Sequence, residues 1–355
     1  MSRASGEISI GLIGCGLVAN NRHLPILNTL PGVTVKVLSD IDEASLRRTA
    51  TQFNISDTCT DYRLLLERDD IDAVGVLVPL EQHARVGMDV LDAGKHLLLE
   101  KPMCRTLEEA ALLREAADRS GVKVMMGLNK RWHRLMRRAR EVVSAGELGK
   151  VRLVNFVYSS GQDFDRVPEW RKRRASGGGN LIENGVHCYD LWRFLLQEEI
   201  EEIYAAGGRC RSDDEPAVVT ARTESGVLLN TTLSDFMPGR NEMEILGDRQ
   251  VLSISQYRFE GFEFTPHGTC SGDLGNRVQR IGRFFRELPA GISQFRYGGD
   301  YTESFRAMWA HFIHSVRTDA PVSCTLEDGQ RALEISLAAL SSADSGKPVR
   351  ISDFR

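Results

Sequence analysis

A chain of 355 residues, 42% hydrophobic and 26% charged, has the composition of a folded protein and is too long for one ordinary core, so two domains are expected. A formal net charge of -4 removes any electrostatic reason for the chain as a whole to bind nucleic acid. No apolar run approaches the length of a membrane span, which argues against a membrane partner.

The start, MSRASGEISIGLIG, enters a strand pattern almost at once, so no signal peptide is expected. Residues 8–13 are an apolar run, followed by a glycine turn and a helix pattern to about Leu30. Residues 33–38 form a second run, and DEASLRRTATQF (42–53) places Leu46, Ala50 and Phe53 on one helical face. Residues 73–78, 97–99 and 122–126 are further short apolar runs with helices between them. Thr106 followed by Glu109 reads as a capping box opening a helix over 107–119. Strands that are apolar throughout, alternating with amphipathic helices, predict a parallel sheet covered on both faces: a doubly wound α/β domain over residues 1–128.

Beyond it the pattern changes. A helix near 132–144 leads through GELGK into a strand, VRLVNFVYS. AVVTART, VLLNTTLS, NEMEILG and QVLSIS follow closely within 216–256, joined by short turns that signal antiparallel hairpins. Helices are predicted near 274–288, 301–317 and 327–343. Residues 129–355 therefore read as an α+β domain with an antiparallel sheet.

Seven cysteines (Cys15, Cys59, Cys104, Cys188, Cys210, Cys270 and Cys324) form no CxxC pair, and their odd number argues against a disulfide framework; reduced thiols in a cytoplasmic protein are expected. His311 and His314 lie three apart with no third ligand nearby, so no metal is assigned there.

Residues 14–19, GCGLVA, follow the first strand directly and fit G-x-G-x-x-A. Gly14 permits the tight turn, Gly16 lets the backbone approach a pyrophosphate, and Ala19 keeps the helix close to the strand; Leu17 and Val18, between them, are further candidate cofactor-binding residues. The helix start offers N–H groups to phosphates. Asp40 closes the second run, VKVLSD, where a carboxylate can accept the ribose hydroxyls of NAD and would repel a 2′-phosphate. NAD is the expected cofactor, with NADP the alternative; Asp40 as a helix or turn cap is the competing reading.

HLLLEKPM (96–103) delivers Glu100 and Lys101 to the end of a strand, where ligands of open α/β sheets bind, and Pro102 biases Lys101 away from the helical region. At this point the chain resembles the Gfo/Idh/MocA oxidoreductases, the group of glucose–fructose oxidoreductase and inositol dehydrogenase. The resemblance runs through GLIGCG, Asp40, PLEQH, AGKHLLLEKPM, GLNKRW, GGGNLIENGVHCYDLWRFLL and SADSGKPV. It implies a Rossmann domain followed by an α+β domain with a large, open, mostly antiparallel sheet. It implies that Lys101 contacts substrate and nicotinamide and that the Lys101–Pro102 bond is often cis. It also extends the cofactor site to Pro79, His83, Glu100, Pro102 and Asn129.

In GGGNLIENGVHCYDLWR (177–193), Asn180 is a candidate N-cap, and Glu183, His187 and Asp190, spaced by four and three, would share one helical face. Gly185 within that helix suggests close approach of a cofactor or backbone. A histidine suits transfer of a hydroxyl proton. The resemblance implies that His187 is the general base, forming with Lys101 a site where the two domains meet; Glu183 stands where relatives carry Asp. Asp190 is assigned a structural role. Two other functions stay open: a metal-dependent sugar isomerase or aldolase using Glu183, His187 and Asp190, and a non-catalytic dinucleotide sensor.

The expected enzyme is an NAD(P)-dependent dehydrogenase or reductase acting on a hydroxyl or ketone of a sugar, cyclitol or derivative. Substrate candidates besides Lys101, Glu183 and His187 are Tyr158, Trp170, Arg171 and Arg174, with Trp170 stacking on a sugar and the arginines meeting an anion, unless they form a solvated basic loop. VLLNTTLS alternates so that one face of its sheet can be buried in a partner, and a homodimer or homotetramer is expected.

Overall fold

The computed structural model describes residues 6–208, 210–295 and 299–354. The chain divides into two units, Met1–Asn129 with Phe305–Leu333, and Lys130–Ser304 with Glu334–Arg355.

In the first unit six strands are introduced in turn: β1 (Ile8–Ile13), β2 (Val33–Ser39), β3 (Asp57–Cys59), β4 (Ala73–Val76), β5 (His96–Leu99) and β6 (Val124–Met126). They form one parallel sheet in the order β3-β2-β1-β4-β5-β6. Every residue of β4 and the last three of β5 are buried. These runs therefore carry apolar residues at every position instead of alternating. The order reverses between β1 and β4, which creates the switch point where such sheets bind ligands.

Caps set the helix starts. Asp42 Oδ1 accepts from Ala44 N–H at 2.9 Å and opens the helix Glu43–Phe53. Thr106 Oγ1 accepts from Glu109 N–H at 3.2 Å, while the Glu109 carboxylate accepts from Arg105 N–H at 2.9 Å, one residue before the usual partner of a capping box. The helix expected after the glycine turn is shorter and partly of another kind. It opens as a π-turn, Ala19–His23, and ends at Leu27. Asn20 Nδ2 donates to the carbonyls of Cys15 and Gly16 at 2.8 and 2.9 Å, and Leu24 N–H bonds Ala19 O, five residues back.

Residues 305–333 belong with this sheet. The helix Gly299–Thr318 buries Phe305, Met308, Trp309 and Phe312. A Cβ on Gly75 would lie 3.3 Å from the Trp309 ring, and Arg317 donates to Gly32 O at 3.0 Å.

The second unit holds β7 (Val151–Ser159), β8 (Ile200–Gly207), β9 (Ala217–Thr223), β10 (Leu228–Ser234), β11 (Arg240–Gly247), β12 (Gln250–Ser255), β13 (Phe262–Pro266) and β14 (Val349–Arg350). Their order is β13-β12-β11-β7-β10-β9-β8-β14, and all neighbours are antiparallel except β7 and β10, which run parallel. The strands alternate: β9 reads buried, exposed, buried throughout. One face carries Val154, Phe156, Val219, Leu229 and Ile245 into a core with Tyr189, Trp192, Leu195, Ile335 and Ala339. The other presents Tyr204, Val218 and Leu228, all exposed.

Candidate functional site

In the first unit the glycine turn is built by sterics. Gly14 has φ 104°, and a Cβ there would sit 2.5 Å from Leu77 O, so no other residue fits. Gly14 N–H is held by Ser39 O at 2.8 Å. A Cβ on Gly16, by contrast, would meet nothing within 4 Å: the backbone is bare on that side. Ala19 is fully buried and Leu17 is exposed. Burial, reinforced by Asp40, pushes the Cys15 thiol up to about 12, so the turn presents no thiolate at neutral pH.

Asp40 joins the two walls of this turn. Its Oδ2 accepts from Cys15 N–H at 2.6 Å and its Oδ1 from Asp42 N–H at 2.8 Å. It thus caps a turn while standing at the end of β2, and Asp42 caps the helix. The bare Gly16 backbone and the carboxylate at the end of β2 fit a dinucleotide.

Lys101 follows β5, and the Lys101–Pro102 bond is cis. The segment is fastened on both sides. Glu100 is buried, and its Oε2 accepts from Lys101 N–H at 3.0 Å. His83, in the helix Leu80–Asp92 that Pro79 caps, lies with Nδ1 2.6 Å from Pro102 O and Nε2 2.9 Å from Val78 O. One ring nitrogen therefore faces the backbone just after the lysine, and the other the loop after β4. Asn129, buried, donates its N–H to Gly127 O at 2.9 Å.

In the second unit the glycine-rich segment differs from expectation in three respects. Asn180 is not the cap: Gly179, at φ 87°, occupies that place, and Asn180 donates from Nδ2 to Glu215 at 2.7 Å and accepts from Asn184 at 2.7 Å. The helix is not continuous: Asn180–Glu183 and Gly185–Leu196 are separate, with Asn184 between them. Glu183 and His187 therefore belong to different helical pieces, and both are buried. Gly185 owes its small size to its own helix, since a Cβ there would lie 2.6 Å from the Tyr189 hydroxyl.

Asp190 lies in a buried ion pair. Arg131 Nε and Nη2 reach its two oxygens at 2.6–3.0 Å, and both partners are buried. With Asp190 bound to Arg131, the metal reading loses a ligand; among the described residues no three His, Cys, Asp or Glu side chains are grouped to hold an ion.

The two arginines ahead of the segment are matched by acids. Arg174 pairs with Asp214 and, at 2.5 Å, with Asp344. Arg171 lies 3.2 Å from Glu183 and 3.7 Å from Asp235, with Nη1 donating to Gln162 at 3.2 Å. Burial lowers the Arg171 guanidinium while Glu183 and Asp235 raise it, and the carboxylates prevail. Trp170, half-buried, lies in the short helix Glu169–Lys172. Tyr158 is buried, its phenol pushed well up by desolvation, with Lys130 Nζ 3.3 Å from the ring centroid. Sequence reasoning gave no role to Arg131, although it lies in GLNKRW, and missed Glu215, Asp235 and His23, which belong to none of the motifs.

Residues 8–128 match the model of the oxidoreductase family with an NAD-binding Rossmann fold, and residues 136–253 match that of the GFO/IDH/MocA C-terminal domain. The chain belongs to this family of oxidoreductases. It is similar to the myo-inositol 2-dehydrogenase of Thermotoga maritima, 25% identical over 354 residues covering 97% of this chain and 98% of the relative. The 1,5-anhydro-D-fructose reductase of Ensifer adhaerens is 26% identical over 350 residues, covering 96% and 98%. A solved levoglucosan dehydrogenase in complex with NADH and levoglucosan has the same fold, with TM-score 0.80 at 18% identity over 97% of this chain and 99% of that one.

Proposed function

We propose that this NAD-dependent oxidoreductase interconverts a secondary alcohol and a ketone on a neutral cyclitol or sugar, with Lys101 and His187 handling the hydroxyl proton. The observation that carries the reading is the convergence of a dinucleotide turn with a lysine fastened at the end of β5 in the same sheet. The bound nicotinamide supplies the hydride chemistry. The first unit binds the dinucleotide, with Pro79, Glu100, Pro102 and Asn129 supporting it, and the second binds substrate and mediates oligomerisation; residues 305–333, expected in the second domain, belong to the first unit. Glu183, held in its ion pair with Arg171, orients His187 or a substrate hydroxyl. Because Arg171 and Arg174 are each matched by two carboxylates, a neutral substrate suits this side better than an acidic one. Inositol and anhydrosugar relatives point to the same class. Seven free thiols suit a cytoplasmic setting.

The test is a panel of inositols, anhydrosugars and sugar acids with NAD, followed by absorbance of the reduced cofactor, with and without chelator. Turnover of a neutral polyol that survives chelation is expected. Failure with every neutral polyol, or loss of turnover on chelation, would reject the reading.

Asp40 sets the choice of dinucleotide. The wild type is expected to bind NAD more tightly than NADP, and Asp40→Ala to weaken NAD by about tenfold or more, since charge-assisted bonds to ribose and to the glycine turn are lost together. Titration of both dinucleotides decides; tighter NADP binding by the wild type contradicts the assignment.

A dimer or tetramer follows from the outer face of the second sheet. The register sets Arg222, Leu228, Leu153 and Leu246 in one row across β9, β10, β7 and β11, next to a row holding Tyr204. Light scattering at micromolar concentration should give at least a dimer, and Leu228→Asp should shift it towards monomer. A monomeric wild type ends this proposal.

A further inference from the structure

Within the first unit, the buried carboxylate of Glu100 is shared between two partners. Oε2 accepts from Lys101 N–H, and Oε1 lies 3.0 Å from His23 Nε2. The other ring nitrogen of His23, Nδ1, lies 3.0 Å from Trp309 Nε1. An indole N–H only donates, so Nδ1 accepts, and the proton of the neutral imidazole sits on Nε2, pointing at Glu100. The partners thereby fix the tautomer. The ring is fully buried and meets Phe305 and Trp309 edge-on, at 5.3 and 5.9 Å between centroids. His23 closes the π-turn that follows the glycine loop. A chain of hydrogen bonds thus runs from Trp309 through His23 to Glu100 and ends on the backbone N–H of Lys101.

We propose that His23 is a positioning residue for the reaction: it orients Glu100, and through Glu100 it sets the backbone from which Lys101 projects. The inference rests on reading Lys101 as a proton-handling residue. A polar chain of this kind is expensive to bury, and apolar side chains would fill the same space at lower cost. What it adds is a fixed direction at each link, and displacement of a reacting group by about 1 Å costs on the order of 10²-fold in rate.

The experiment uses the full chain with His23→Ala, His23→Gln, Trp309→Phe and Lys101→Met. Glutamine restores one donor and one acceptor. His23→Ala is expected to lower kcat by about 10²-fold, with KM for the polyol and NAD affinity within a few-fold, and His23→Gln to recover most of the loss. In the cofactor-free protein, amide hydrogen exchange at Lys101 should quicken by about tenfold or more in His23→Ala and return in His23→Gln. Trp309→Phe keeps an aromatic ring at that position, smaller than indole, while removing the N–H donor, and should lower kcat several-fold with the same quickened exchange. Unchanged exchange at Lys101 in His23→Ala and Trp309→Phe overturns the proposal, as does equal loss of kcat in the alanine and glutamine variants. Normal turnover in Lys101→Met rejects the role of the lysine itself. Normal turnover in His23→Ala beside an inactive Lys101→Met rejects the positioning role alone.

Discussion

Replacing Lys101 by Met is expected to lower kcat by about 10²–10⁴-fold while NAD affinity stays within a few-fold, because a positioned proton-transfer group contributes on that scale and the glycine turn and Asp40 are left intact. Methionine matches the length of the aliphatic stem and removes the ammonium. The surrounding geometry survives the change, since Glu100 binds the backbone N–H of residue 101 and His83 the carbonyl of Pro102, neither of which depends on the lysine side chain. His187→Ala is expected to fall in the same range. Under the proposed function both residues serve one proton, and the double mutant should then be far less than multiplicative, as for groups that act as a unit. Steady-state kinetics on the best polyol, with dinucleotide titration beside it, measures all three. Full multiplicativity, or near-normal turnover in either single variant, would reduce the lysine to a turn residue and the histidine to a buried one.

The second large effect is on stability. Asp190→Ala should destabilise the second unit by about 3–5 kcal/mol, because it strands Arg131 as a buried guanidinium whose carboxylate partner has gone. The pair is bidentate, with three N···O distances of 2.6–3.0 Å, which is the geometry that rewards arginine most. Urea unfolding followed by circular dichroism reports the loss. Converting both partners to apolar residues of similar volume, Arg131→Met with Asp190→Leu, should restore much of it, since neither charge is then buried. A loss below about 1 kcal/mol in the single variant would show that water reaches the pair.

Much of this was legible in the chain. The central strands of the first sheet are buried on both faces, so their apolar runs stand out, whereas the exposed edge strand β3 gave no such run, and Gly14 is imposed by a carbonyl that leaves no room for a side chain. The hairpins of the second sheet show in alternation, because one face is core and the other is open. Other features lie beyond periodicity. A period of two says which face a residue takes but not which strand lies beside it, so the parallel pairing of β7 with β10 is invisible. Spacing by four and three suggested one helical face for Glu183, His187 and Asp190, yet the chain breaks at Asn184, whose Nδ2 bonds Asn180 and, at 2.9 Å, Asp235. Asn180 was a reasonable cap by residue type, but Glu215, distant in sequence, claims its amide. His23 carried no local signal because its partners, Glu100 and Trp309, are remote in sequence.

The return of residues 305–333 to the first unit has a bearing on how the protein is made. A nascent chain that has just passed residue 129 already holds all six strands of the parallel sheet, yet it lacks the tryptophan that lies against Gly75 and donates to His23. The dinucleotide-binding unit must wait, incompletely covered, while most of the second unit leaves the ribosome. A fragment cut at residue 129 reproduces that waiting state permanently, with the Gly75 face of β4 missing the indole that lies against it. Anyone seeking an isolated nucleotide-binding module from this chain would have to splice 305–333 back on rather than trim at the end of β6.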